Sequence, residues 1–117
     1  MLATDHIETA QQFLRDADRE YEAGDILQAS EKLWGAASHV VIAEMKRREM
    51  PVRTHRQTVE AVNALADEFE SPSLADWFIA AQGLHRNFYN GDLDDADFLN
   101  HRRRVIWFVE RMIELTG

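Results

Sequence analysis

His85, Arg86 and Asn87 stand side by side and supply the parts that phosphodiester chemistry uses. An imidazole can move a proton, a guanidinium can grip a phosphate and an amide can orient it. At helical spacing His85 projects toward Phe78, Ala81 and Phe88, which suits a buried structural histidine better than a general base. Two glycines in apparent helix interiors mark a second candidate. Each costs about 1 kcal/mol against alanine there, so a close packing contact or a ligand is expected. Gly35 shares a helical face with Gln28, Glu31, Lys32, Ser38 and His39, and Gly83 shares one with Arg86, Asn87 and Asn90. Gln28, Glu31, Lys32, Gly35, His39, Gly83 and Asn90 are therefore candidates for a polar ligand groove. The plainer alternative is close helix approach with solvated polar neighbours. Other chemistries find no footing. The chain has no cysteine, no Glu-x-x-His pair for a diiron bundle, no His-Glu-x-x-His and no glycine-rich phosphate loop, so no metal or cofactor is called for.

The elements that must position these groups are helices. Apolar residues recur every three or four positions instead of alternating. A first helix carries Ile7, Ala10, Leu14, Ala17 and Tyr21 on one stripe, with Asp5 as its expected cap, and ends at Gly24. Asp25, with Gln28 three residues on, caps a second from about Ile26 to Glu49 that buries Ile26, Ala29, Leu33, Ala37 and Val40 before Pro51. Thr54 and Gln57 cap a third, striped by Val59, Val62, Ala66 and Phe69. Pro72 opens a fourth that buries Leu74, Trp77, Ala81, Leu84 and Phe88 and ends at Gly91. Asp94 caps a fifth, with Leu93 placed to staple Phe98. The expected fold is all-α: an antiparallel up-and-down bundle of about five helices, forming one domain over residues 1–117.

Composition bounds the partners. The 117 residues carry 13 Lys and Arg against 21 Asp and Glu, a net charge of -8. That field repels nucleic acid and anionic lipid, so any anion site must be local. No apolar run reaches the ~20 residues of a membrane span and no signal peptide is evident, which points to the cytoplasm and away from membranes. If the helices strictly alternate direction, one pole collects Lys46, Arg47, Arg48, Arg53, Arg56, Arg86, Arg102, Arg103 and Arg104. Lys46, Arg47, Arg53, Arg56 and Arg102 are the anion-binding candidates. Complementation of helix dipoles accounts for the same residues without a ligand.

Gln11 to Ala37, with its Gly24-Asp25 bend and the block Gln28-Ala29-Ser30-Glu31-Lys32 before Trp34-Gly35-Ala36-Ala37, resembles the HEPN-like superfamily and within it the archaeal PaREP-type proteins. The later Leu84-His85 followed by Asn87-Phe88-Tyr89 adds order and spacing to the resemblance. It implies a dimerising helical bundle. Some HEPN relatives are metal-independent RNases, and others accompany a nucleotidyltransferase in toxin and antitoxin pairs. Active members carry an Arg, a polar residue and then a His after four to six intervening residues. Here Arg86 and Asn87 suit the first two places, but Gly91, Asp92 and Leu93 stand where the His should follow. Two functions are therefore carried forward: a regulatory or interaction protein that binds RNA, a nucleotide or another polyanion, and a ribonuclease toxin with an atypical site at His85, Arg86 and Asn87.

Partnership has its own signal. Val105-Ile106-Trp107-Phe108-Val109 is apolar in every direction around a helix, more than one core can bury. Trp107, with Arg103 and Arg111 on its face, is expected at a homodimer interface.

Overall fold

The computed structural model describes the backbone of residues 3–117 and the side chains from Asp5 onward. Five helices account for nearly all of it: α1 (Ala3–Glu22), α2 (Ile26–Arg47), α3 (His55–Glu68), α4 (Ser73–Asn90) and α5 (Asp95–Thr116). No strand occurs among the described residues. The caps follow local chemistry. Asp25 accepts from the Gln28 N–H, Thr54 and Gln57 form a reciprocal capping box, and Asp94 accepts from the Asp97 N–H. Asp5 differs from expectation: α1 already begins at Ala3, so Asp5 lies in its first turn instead of capping it.

α2 is the central element and packs against all four other helices. That position explains its composition. Ala29, Ala36 and Ala37 allow close approach on several sides, while Leu33, Val41 and Met45 fill the spaces between. The core continues through Leu65, Leu74, Phe78, Leu84, Phe98, Phe108 and Met112. Phe78 meets Phe108 with ring centroids 5.3 Å apart, and Tyr21 stacks on Phe98 at 5.2 Å, tying α4 and α1 to α5.

The connection from α2 to α3 determines where charges end up. Segment 48–54 runs back along α2 instead of turning at its end. His55, the first residue of α3, has its ring 5.5 Å from Trp34 in mid-α2, whereas Glu68, the last, accepts two hydrogen bonds from Arg48 just past the end of α2. An extended segment of this length spans about 20 Å, enough to return that far. α3 therefore runs alongside α2 in the same sense. α4 runs antiparallel to α2, with Asn87 bonded to Ser30 and a Cβ at Gly91 falling 3.9 Å from Leu27. α1 with α2 and α4 with α5 are antiparallel neighbours joined by short turns.

Candidate functional site

The return of segment 48–54 disperses the basic pole that strict alternation requires. Lys46 and Arg47 lie at the end of α2 beside the start of α1 and the end of α5. Arg53 and Arg56 flank the start of α3, near mid-α2, while Arg102 is drawn to the α1 seam by Asp18 at 2.7 Å. Arg47 is also committed. It donates to both oxygens of the buried Glu44 at 3.0 and 2.6 Å, and Arg48 adds a third bond at 2.6 Å. Burial alone would raise the Glu44 carboxyl. The hydrogen bonds and charges of Arg47 and Arg48 outweigh it and hold the group below its ordinary value.

The polar groove is likewise divided among three seams. Gly35 faces α1, where an added Cβ would lie 3.1 Å from the Phe13 ring, and Lys32 stands over the same ring at 6.0 Å. His39 also faces α1, its Nε2 2.9 Å from His6 Nδ1, with one proton shared between them. Burial and the neighbouring imidazole push the His39 pKa down. Gly83 faces α5, where an added Cβ would lie 3.0 Å from the His101 ring. Gln28 and Asn90 are exposed at the start of α2 and the end of α4. Both glycines thus serve close helix approach. Only Glu31 of this set meets the residues around His85.

His85 is one-third exposed and sits between α2 and α3 against Trp34, which itself packs on Phe78 as part of the core wall. Its Nδ1 lies 3.4 Å from Glu31 Oε2, and neither atom is solvated or has another hydrogen-bond partner among the described residues. Such a pair needs only a few tenths of an ångström of closure to form a charge-assisted bond that would fix the imidazole and leave Nε2 available. The ring stacks on Trp34 at 4.8 Å, lies 6.5 Å from and nearly parallel to His55, and meets Tyr89 edge-on at 5.3 Å. His55 Nε2 is 3.2 Å from Gln82 Oε1, which accepts from it. Tyr89 is 72% exposed, so an aromatic face remains open to solvent.

Arg86 projects outward on α4 between this cluster and His101, its Nη2 3.9 Å from a Cβ placed at Gly83. His101 Nδ1 lies 2.7 Å from the Asp97 carbonyl, which can only accept, so Nδ1 donates and Nε2 faces Gly83. Asn87 does something different from orienting a phosphate. It is 1% exposed, donates to Ser30 Oγ at 3.1 Å and accepts from the Leu93 N–H at 2.8 Å. It clamps α4 to α2 and fixes the turn into α5. What the spacing missed was the meeting of Glu31, Trp34, His55, His85 and Tyr89. Glu31 and Trp34, three apart on one helical face, were the available local signal.

The described residues thus form an all-α, five-helix unit with an imidazole and aromatic cluster between α2, α3 and α4. Residues 5–109 match the model of the archaeal PaREP1/PaREP8 family, and the chain belongs to that family. Neither the curated proteins nor the solved structures contain a match. No described helix is long and apolar enough to cross a membrane.

Proposed function

We propose that this protein is a dimeric regulatory or interaction protein that binds single-stranded RNA on the surface made by the start of α3 and the outer face of α4. The carrying observation is the stack of Trp34, His85 and His55 edged by exposed Tyr89. Aromatic and imidazole faces accept bases of any sequence. Exposed Arg53, Arg56 and Arg86 flank that stack and would hold phosphates. The pairing of Arg56 with Glu60 does not remove it, since both side chains are largely exposed and the contact is worth little in water. A molecule of net charge -8 must concentrate any attraction for RNA in such a patch. Trp107, 44% exposed and 5.8 Å from Trp77, with Arg103 over its ring, provides the surface for a second copy. The HEPN-like resemblance adds a nucleotidyltransferase-type protein as a partner to seek.

A second reading follows from the contact between Glu31 and His85. A carboxylate holding Nδ1 leaves Nε2 to take the proton of a ribose 2′-hydroxyl as its oxygen bonds to the adjacent phosphorus. The bond from phosphorus to the 5′ oxygen breaks, and a protonated His55 would give that oxygen its proton, leaving a 2′,3′-cyclic phosphate and a 5′-hydroxyl. That is metal-independent RNA cleavage, as in a ribonuclease toxin. One experiment addresses both readings. Labelled single-stranded RNA is titrated at two salt concentrations with a chelator present, and the RNA is then resolved for breakage. Binding that weakens steeply with salt, without cleavage, supports the first reading. Cleavage abolished by His85→Ala promotes the second, and absence of binding at low salt removes both.

A further inference from the structure

A cavity of about 260 Å³ opens at the end of the bundle where the start of α1 meets the ends of α2 and α5. Glu44, on its lining, is thirteen positions beyond Glu31 on α2, about 20 Å along the axis, so the cavity is separate from the His85 cluster. Its walls are mostly aliphatic, Ile7, Val40, Ala43 and Ile113, and the polar His6 and Thr116 that complete them are engaged with His39 Nε2 and the Met112 carbonyl. The charges beside them are unequal. Arg47 is committed to Glu44, which also receives Arg48, so that carboxylate is fully answered. Lys46 lines the same cavity, and no hydrogen bond or ion pair among the described residues holds its ammonium.

We propose that this cavity binds a small monocarboxylate with a short unbranched apolar tail, its head at Lys46 and its tail between Ile7, Val40, Ala43 and Ile113. The charge count selects a monoanion. Lys46, Arg47 and Arg48 against Glu44 and Glu68 leave one positive charge, and the carbonyl ends of α2 and α5 offset the amide end of α1 beside them. Aliphatic walls favour a hydrocarbon tail over a polar one, because an unpaired polar group is costly to bury there. The volume sets the length. At about 30 Å³ per heavy atom, the share of one water in the liquid, the cavity takes about nine, the size of heptanoate.

The test is calorimetric titration of the full chain with the straight-chain acids from butanoate to decanoate, with 1-heptanol and heptylammonium as controls. Affinity should peak near heptanoate and exceed that of heptanol about tenfold or more. Lys46→Glu should reverse the preference toward heptylammonium. Ala43→Leu, which narrows the cavity, should move the optimum to shorter acids while helical circular dichroism stays unchanged. In the unaltered chain, heptanoate should shift the methyl resonances of Ile7, Val40 and Ile113. No binding by any acid at millimolar concentration, equal affinity for acid and alcohol, or an optimum untouched by Ala43→Leu would overturn the proposal. None of these residues belongs to the RNA surface, so failure there and failure here are separable.

Discussion

Asn87 is the residue whose role most depends on what folding brings to it. Its amide is satisfied at both ends by Ser30 and by the backbone of Leu93, out of solvent. Asn87→Leu removes both bonds and leaves the Leu93 N–H without its acceptor, so urea denaturation should show a loss of ~2 kcal/mol or more. RNA affinity of the folded fraction should stay the same. Gly35 gives a sharper steric test. A methyl there meets Phe13 at 3.1 Å, a contact that a small ring movement relieves, so Gly35→Ala should be near neutral as helix propensity offsets crowding. Gly35→Leu should cost ~1–3 kcal/mol by overpacking the α1–α2 seam, and an unchanged melting curve would contradict that contact. The tightness at Gly35 was legible because glycine in a helix has few other reasons to persist. The position of His85 was not. The helical wheel gives its angle, but only α2 and α3 decide that Glu31, Trp34 and His55 occupy that angle.

At the scale of elements, helix ends follow their local sequences closely. α1, α2 and α3 all close with the same pair of backbone bonds, a 6→1 bond outside a tighter 5→2 bond, and each places the next residue in the left-handed region. Gly24 does so freely at φ 85°, but Glu49 and Glu70 adopt φ 60° and 50°. Glu70→Gly should therefore raise stability by roughly 1 kcal/mol, an unusual direction for glycine that thermal denaturation would detect. Thr54→Ala should lose about 1 kcal/mol with the capping box. The caps, breaks and stripes were readable because each rests on residues a few positions apart. The direction of α3 was not, since it depends on Arg48 reaching Glu68 and on His55 settling against Trp34. Acid should weaken this framework in two stages. His39 is held below its ordinary 6.5, so the unfolded chain takes up that proton first and stability falls as pH drops beneath that value. Glu44 is also depressed; its contribution is complete at neutral pH and lost as pH falls through its lowered value. A profile that stays flat just below pH 6.5 would contradict the His39 stage, and one that stays flat as pH falls below 4.5 would contradict the Glu44 stage.

For the molecule as a whole, a net charge of -8 and a locally basic, aromatic surface set opposing demands on the RNA partner we propose. Dimerisation through Trp107 would double the number of such surfaces. Light scattering should return twice the 13.5 kDa chain mass at micromolar concentration, and Trp107→Ala should weaken association by ~2 kcal/mol or more. The fold was legible from periodicity, whereas the site was legible only as separate parts. Lys46, Arg47, Arg53, Arg56 and Arg102 were grouped by an assumed alternation, and the path of segment 48–54 separates them. That separation supplies the most direct test of the RNA surface, a fluorescence titration of labelled single-stranded RNA at low salt against two double charge reversals. Arg53→Glu with Arg86→Glu should abolish binding, while Lys46→Glu with Arg15→Glu, an equal change of net charge at exposed sites away from α3 and α4, should leave most of it. Equal losses from the two pairs, or binding indifferent to Arg53 and Arg86, would contradict the account.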